Sequence, residues 1–429
     1  MFLRFFERLF VVVLFLSSMG VVDALTRPSL WEGSPDLLST YTPLPTVMAE
    51  TGVYVAGTLL VLIRWRRVLS AGRRVWPLVG LTALAPLSIA WSPQAMLTVR
   101  RSVFLLGSTV LAIYLGERYS TEKLARLLAQ TLCLMMLLVV VLSLVAPAYV
   151  IDYINHIGAW KGLSGHKNLF GEYMAVAVVL LLLVRFGYFP WSRYVFLVTA
   201  AVLLVLSRSA GALLCCVLVV AAIPLWRVTR FNGKRRLLVY ATMAVVISLG
   251  VVFIPDSFDP LFRMLGRDST LTGRTHLWAP VLSAIMKRPI LGYGYGWFWT
   301  GLEGEGLNVR IGARWLAAAS DNGYLDLCLS LGVLAVSVFV YVFVHSFRMA
   351  IDYLRSESGP VRSWPITYLC FFALHNTCES SLLSTRSLGY LMFAAITTSL
   401  ALNRHCAAIT TQTADTQRRA VNECYTSDL

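Results

Sequence analysis

Charged residues are scarce in this sequence, and their scarcity excludes a soluble fold. Only 14% of the 429 residues are Asp, Glu, Lys or Arg, while 57% are apolar. A soluble domain of this length cannot bury so much apolar surface, because surface area falls too slowly with size. A bilayer accepts it, at about 20 apolar residues per spanning helix. The composition therefore predicts a membrane protein.

Acidic residues are few, with 22 against 37 basic residues and a formal net charge of +15. An excess of this size is also found in nucleic-acid-binding proteins. Here, however, the basic residues form short clusters between apolar runs, without interleaved aromatic residues and without a nucleic-acid-binding motif. Such clusters are typical of cytoplasmic loops in membrane proteins. The sequence therefore predicts a membrane environment and no nucleic-acid partner.

Motifs for metals and nucleotides are missing. The eight cysteines form no CxxC pair and no Cys/His cluster with metal-ligand spacing, so no metal is expected. None of them lies in a segment predicted to be outside the cytoplasm, so no disulfide is expected either. The glycine-aromatic segment 292–296 follows no strand, which excludes a dinucleotide loop and favours a hinge. No cofactor is therefore expected. The lack of an internal repeat also counts against a transporter built from inverted repeats.

Long apolar runs dominate the chain. They predict an all-α, polytopic integral membrane protein with about 12 transmembrane helices. The first run follows Arg4 and Arg8 and is interpreted as an uncleaved signal anchor rather than a signal peptide that ends near Ala24. The runs cover residues 9–25, 44–63, 75–91, 102–116, 126–146, 169–184, 194–206, 210–226, 237–254, 321–344, 365–379 and 387–402.

The distribution of basic residues predicts the orientation. Short loops rich in Lys and Arg stay in the cytoplasm, and this bias places both termini inside. Residues 255–320 then form one large periplasmic loop between helices nine and ten, with a short helix over 275–286 that ends before Pro289. The expected organisation is a single transmembrane domain over residues 1–403 and a disordered cytoplasmic tail over residues 404–429.

Arginines at the predicted outer face are candidates for phosphate binding. Arg208 lies in a tight turn between two apolar runs, where a charge is costly and indicates function; a snorkelling interfacial arginine is the alternative. Arg274 precedes a short helix, and its planar guanidinium suits phosphate oxygens. The alternative there is an ordinary helix start with Thr275 as N-cap. His276 is a further candidate beside it.

A carboxylate opens the tenth apolar run. Asp321 precedes Asn322 at the predicted outer end of that run. Inverting glycosyl chemistry commonly uses a carboxylate to activate the attacking oxygen, although an ordinary aspartate pKa near ~3.9 makes a weak base. The competing interpretation is that Asp321 only caps the helix.

Other outer segments also carry polar residues. Segment 160–168 places Lys161, His166, Lys167 and Asn168 beside glycines, as in a turn that cradles an anion; a plain polar loop is the alternative. Glu379 lies at the outer end of the eleventh run and is expected to hold one of the outer arginines in place.

Taken in order, these segments resemble the O-antigen ligase and polymerase superfamily, nearest its exopolysaccharide-polymerase branch. The likeness spans about residues 90–390, and its specificity comes from the order and spacing of the motifs rather than from any one of them. The matching motifs are WSP (91–93) followed by Arg100 and Arg101, SGHKNLFGEYMA (164–175), SRSAGALL (207–214), TGRTHLW (272–278), RPILGYGYGWF (288–298), SDNGYLDLCLSLG (320–332) and HNTCESSLL (375–383).

The resemblance implies a metal-independent transferase whose donor is a glycan linked to undecaprenyl pyrophosphate. Arg208 and Arg274 would bind the pyrophosphate. Asp321 stands where the family's ligases carry a histidine proposed to act on the acceptor hydroxyl. Either Asp321 is the base, or His166 or His276 takes that role. The other expected substrate contacts are Lys161, Lys167, Asn168, Arg100, Arg101, Asn322 and Glu379.

The sequence thus predicts a glycosyltransferase at the periplasmic face of a bacterial inner membrane. As a polymerase it would transfer a lipid-linked oligosaccharide to the terminal sugar of another lipid-linked unit, with a chain-length regulator or export machinery as candidate partners. A ligase that uses another acceptor is the close alternative. A polytopic transporter or flippase is the alternative from a different class.

Overall fold

Helices occupy almost all of the predicted apolar runs. The computed structural model describes residues 2–26, 44–184, 191–228, 272–300, 303–314, 316–356, 359–385 and 387–404, so run 237–254, residues 255–271 and the tail from 405 lie outside the described residues. In lipid a backbone must satisfy its own polar groups, which favours helices. The helices are α1 (Phe2–Ser18), α2 (Val21–Thr26), α3 (Leu44–Ile63), α4 (Trp65–Arg74), α5 (Trp76–Leu87), α6 (Ala95–Arg118), α7 (Thr121–Val145), α8 (Lys167–Leu183), α9 (Ser192–Leu206), α10 (Ala210–Val228), α11 (Thr272–Lys287), α12 (Gly304–Ala313), α13 (Gly323–Ser356), α14 (Trp364–His375) and α15 (388–404).

Several helices have the length and composition of membrane spans. Within the described residues, four are long and apolar enough to cross a bilayer: Leu44–Ile63, Ala95–Arg118, Thr121–Val145 and Gly323–Arg355. Leu59, Val141 and Leu144 are among the many large apolar side chains on them that remain exposed, as expected of a lipid-facing surface. Other apolar helices are shorter. The expected number of about 12 crossings therefore stays a prediction.

Two connections differ from the expected pattern of helices and loops. The basic segment after α3 is itself a helix, α4. The fold is also not purely α-helical, because β1 (Ile151–Asp152) pairs antiparallel with β2 (Ala159–Trp160). Asp152 organises this hairpin: its carboxylate accepts hydrogen bonds from the N–H groups of residues 154, 155 and 156 at 2.9–3.0 Å.

A sharp break divides α13. Gly332 has φ 73° and ψ −176°, a conformation almost restricted to glycine. A Cβ at this position would lie 1.9 Å from the carbonyl oxygen of Ile290. The predicted run 321–344 is therefore two helical pieces, and the segment around residues 288–298 packs into the break between them.

The apolar residues form two cores. The larger core joins the long helices. The smaller one joins α11, the segment 293–298 and α12, and it includes Leu277, Tyr293, Phe298 and Val309. Part of the predicted periplasmic loop thus has a hydrophobic core of its own.

Ion pairs mark one end of the helix bundle. Glu7 accepts two hydrogen bonds from Arg118, and Glu117 accepts two from Arg64. These residues lie near the start of α1, the end of α3 and the end of α6. The opposite end of α6, which carries Arg100 and Arg101, contacts the segment 291–296.

Candidate active site

The hairpin and the start of α8 bring two histidines together. His166 Nδ1 accepts a hydrogen bond from the Asn168 N–H at 3.3 Å and so caps α8. Its ring meets His156 edge to face, with centroids 5.7 Å apart. Burial, assisted by the charge of Lys167, lowers the pKa of His156. Lys167 is half-buried, whereas Lys161 is only 3% exposed.

Arg208 lies against the same hairpin. It is exposed, with a left-handed φ of 52°, and its Nη1 donates to the Ile157 carbonyl at 3.0 Å. The guanidinium also packs over Gly158, where a Cβ would lie 3.4 Å from Nη2. A positive φ is uncommon for an arginine and indicates that the surrounding structure holds this turn.

Glu379 connects α8 to α13. Its side chain accepts a hydrogen bond from Asn168 Nδ2, a partner that the sequence did not predict. Its backbone carbonyl accepts from the Gly323 N–H at 3.1 Å, and the Asn376 carbonyl accepts from the same N–H at 2.9 Å. The first turn of α13 is thereby attached to the segment after α14.

Asn322, rather than Asp321, caps α13. The Asn322 Oδ1 accepts hydrogen bonds from the N–H groups of Tyr324 and Leu325 at 3.0 and 3.2 Å. The alternative in which Asp321 serves as the cap is therefore wrong. Asp321 is half-buried and has a left-handed φ of 52°, so it projects from a tight turn immediately before the helix.

The helix that carries Arg274 contacts this turn. The Trp278 Nε1 donates to the Ser320 carbonyl at 2.9 Å. Because α11 begins at Thr272, Thr275 lies inside the helix and is not its N-cap. His276 is exposed, while the side chain of Arg274 lies outside the described residues.

Hydrogen bonds attach the glycine-aromatic segment to residues 88–101. Arg101 Nη1 donates to the Gly296 carbonyl, and the Trp91 Nε1 donates to the Leu291 carbonyl at 3.0 Å. The Tyr295 N–H donates to the Ser88 hydroxyl at 2.9 Å. These contacts attach the start of α6 to the break in α13. Arg100, the neighbour of Arg101, is exposed.

The sequence did not predict two polar arrangements, one around the half-buried Asp326 and one between the buried Glu172 and His375. Asp326, one turn inside α13, accepts hydrogen bonds from Trp299, Ser320 and Ser380. Glu172 lies 3.7 Å from His375 between α8 and α14, and both side chains are buried. The available signal was an acidic residue inside an apolar run, which is costly unless it is paired.

The site combines basic groups and carboxylates at one end of the bundle. In sequence, its members extend from Arg100 to Glu379. Among the described residues, no group of three or more His, Cys, Asp or Glu side chains is arranged to hold a metal ion. Metal independence stays a prediction. Guanidinium and imidazole groups suit an anionic ligand, while a nearby carboxylate suits proton transfer.

Comparison with known proteins bears on the same residues. Residues 195–340 match the family model described as O-antigen ligase. The resemblance predicted from the motifs is confirmed. The matched region includes the positions of Arg208, Arg274 and Asp321. The chain is also similar to the exopolysaccharide production protein ExoQ of Rhizobium meliloti (strain 1021), at 24% identity over 325 residues and 73% of each chain. The two comparisons and the apolar helices support a polysaccharide-related membrane enzyme.

Proposed function

We propose that this protein is a glycan polymerase that uses a polyprenyl-pyrophosphate-linked oligosaccharide as donor. One observation carries the proposal. A continuous series of contacts runs from Arg208 through the hairpin, Asn168 and Glu379 to the Asp321 turn, and from there to the helix of Arg274. These are the groups that such a transfer needs for the leaving pyrophosphate and for the attacking hydroxyl.

The donor would be bound through its pyrophosphate. As the bond between the anomeric carbon and the pyrophosphate oxygen breaks, the leaving group takes the electron pair and gains negative charge. Bidentate guanidinium contacts from Arg208 and Arg274 would favour that charged transition state over the ground state. Lys167 and the exposed Arg100 provide further positive charge for the lipid phosphates.

The acceptor would be activated by a carboxylate. The terminal hydroxyl of the acceptor attacks the anomeric carbon, and its proton passes to Asp321, which gives a new glycosidic bond with inversion. The capping role of Asn322 supports this assignment, because Asp321 is not needed to start α13. His166 and His276, both exposed, remain the alternative bases.

The proposal includes a location and partners. The chain would cross the bacterial inner membrane about 12 times, with both termini in the cytoplasm and residues 255–320 as a periplasmic loop. A chain-length regulator or export machinery would act with it. The likeness to an exopolysaccharide production protein favours a polymerase. The family match favours the second candidate, a ligase that uses another acceptor.

Reconstitution tests the proposal directly. Purified protein in liposomes receives polyprenyl-pyrophosphate oligosaccharide, and glycan length is read on a gel. Wild type should give a ladder. We expect Arg208→Ala and Arg274→Ala each to lower turnover by about 10²–10³-fold, as for the loss of one transition-state donor. Asp321→Asn should lower it by about 10²–10⁴-fold.

An exposed arginine elsewhere supplies the control. Arg67 lies on α4, and Arg67→Ala should leave the ladder unchanged. Wild-type activity in Asp321→Asn together with loss in His166→Gln or His276→Gln would move the base to that histidine. Release of polyprenyl pyrophosphate only after addition of another acceptor would identify a ligase. Lipid movement across the bilayer without glycan transfer would replace the proposal with a flippase.

A further inference from the structure

A half-buried carboxylate, that of Asp326, closes the loop that ends at the Asp321 turn. Asp326 Oδ1 accepts hydrogen bonds from the Trp299 indole N–H at 2.7 Å and from the Ser320 backbone N–H at 3.1 Å. Its Oδ2 accepts from the Ser320 N–H at 3.2 Å and from the Ser380 hydroxyl. One side chain thus joins both ends of the segment 299–320 to the segment that follows α14.

Arg310 supports the same loop from inside. It is only 2% exposed and donates to the carbonyl oxygens of Trp299 and Ala317 at 2.6 and 2.9 Å. Its guanidinium also lies 5.8 Å from the centre of the Trp299 ring. Trp299, which donates to Asp326 at the start of the loop, is therefore itself held in place by Arg310.

Ser320 connects this hydrogen-bonded loop to the proposed catalytic groups. Its backbone N–H donates to Asp326, and its carbonyl accepts from the Trp278 indole of α11. Its hydroxyl donates to the Asn322 carbonyl at 2.8 Å. The next residue is Asp321, whose left-handed backbone persists only if the flanking residues are held. A shift of Ser320 would therefore move both the Asp321 carboxylate and the helix that carries Arg274.

We propose that Asp326 is a positioning residue for glycosyl transfer, which holds Asp321 and the Arg274 helix in register. This inference rests on the proposed function. Asp326 does not touch the reacting atoms, but a displacement of about 1 Å at such a group can cost about 100-fold in rate. A carboxylate suits the position because it is acceptor-only and can receive all four hydrogen bonds.

Two substitutions separate geometry from charge. Asp326→Leu removes every acceptor, and we expect kcat to fall by about 100-fold while the donor KM changes by less than about threefold. Asp326→Asn keeps Oδ1 for Trp299 and Ser320 and turns its amide towards Ser380, whose hydroxyl can accept. This variant should retain kcat within about tenfold of wild type. Asp352→Leu, an exposed aspartate at the other end of α13, is the matched control.

A measurement that does not need turnover tests the geometry. Amide hydrogen exchange of a peptide that covers residues 317–323 reports the Ser320 N–H. It should accelerate in Asp326→Leu and stay near wild type in Asp326→Asn and Asp352→Leu. Thermal unfolding of all variants separates a local effect from global destabilisation.

Several outcomes would overturn the inference. Wild-type kcat in Asp326→Leu, unchanged exchange in that variant, or equal loss in Asp326→Leu and Asp326→Asn would each contradict a positioning role. If the wild type makes no glycan product at all, the proposed function fails instead, and the exchange data then decide whether Asp326 orders the turn.

Discussion

Gly332→Ala tests the central joint of this structure. The substitution adds one methyl group where α13 breaks and where the segment 288–298 enters. Its Cβ would lie 1.9 Å from the Ile290 carbonyl oxygen and 2.6 Å from the Leu291 nitrogen. Both neighbours are backbone atoms, so no flexible side chain can move aside, and we expect a large loss of stability.

The magnitude has two parts. A residue with a side chain in the conformation of Gly332, φ 73° and ψ −176°, costs about 1–3 kcal/mol. Relief of the overlap must also strain backbone hydrogen bonds between the two segments, each with a net contribution of about 1 kcal/mol. Loss of two of them brings the total to about 3–5 kcal/mol. Four such backbone hydrogen bonds connect the two segments. They run from the N–H groups of Val333, Leu334, Tyr293 and Gly294 to the carbonyl oxygens of Pro289, Ile290, Leu329 and Ser330, respectively.

Two glycines elsewhere separate these contributions. Gly165 has φ 72° but open space around its Cβ position, so Gly165→Ala should cost only about 1–2 kcal/mol. Gly80, inside α5, has an ordinary φ and also has open space, so Gly80→Ala should stabilise the protein by about 0.5–1 kcal/mol. The three variants should therefore rank Gly80→Ala, Gly165→Ala, Gly332→Ala in order of increasing loss.

The assay is the half-life of purified protein in detergent at a fixed temperature, followed by tryptophan fluorescence. A rate is the appropriate quantity because large membrane proteins commonly unfold irreversibly. A loss of about 3 kcal/mol that appears fully in the unfolding rate shortens the half-life by about 100-fold. A Gly332→Ala half-life within about twofold of Gly165→Ala would refute the close packing inferred here.

Other predictions concern single charged groups. Burial lowers the pKa of His156, so the unfolded chain binds more protons as the pH falls and the folded state loses stability; His156→Gln should reduce the fall in thermal stability between about pH 7.5 and 5.5. Lys287 lowers the pKa of Glu305, so their pair stabilises the fold above the ordinary glutamate pKa and is lost as the pH falls through the lowered one. Because Lys287 is 57% exposed, a double-mutant cycle should give only about 0.2–1 kcal/mol, and less at high salt. Glu7→Gln weakens two hydrogen bonds from Arg118 and should cost about 1.5–3 kcal/mol in thermal unfolding, while the exposed Arg67→Gln should cost little.

Hydropathy predicted the helices well because lipid leaves a spanning backbone few choices. The run 44–63 coincides with α3, and the run 210–226 begins where α10 begins. Hydropathy did not predict two local features, the helix α4 and the break at Gly332. The helix α4 is basic and has no long apolar run, so hydropathy does not detect it. The break at Gly332 lies inside an apolar run and leaves the average hydropathy of that run almost unchanged.

The site was only partly predictable, for a different reason. Sequence indicates which residue types are unusual for their surroundings, and this criterion selected Arg208 and Asp321. It cannot tell which distant residues meet, because the contacts arise from packing. The hydrogen bond between Asn168 and Glu379 joins segments 211 residues apart. The assignment of the cap also needed coordinates, since both Asp and Asn are good N-caps and they are adjacent in the chain.

Backbone strain gives the proposed site independent support. Four non-glycine residues in the described part of the chain have positive φ: Arg208, Arg314, Asp321 and Leu383. Asp321 tolerates this region better than most residues, but an arginine rarely adopts it and a leucine is an outlier. Leu383 accepts a hydrogen bond from the Tyr295 hydroxyl, in the segment that anchors α6. Three of the four strained residues are thus proposed catalytic groups or lie in contacts that support them. Strain of about 1–3 kcal/mol persists only where the surroundings enforce it, and it concentrates at functional sites. The inference from an observed strained residue to function therefore agrees with the inference from sequence motifs, although the two start from different properties.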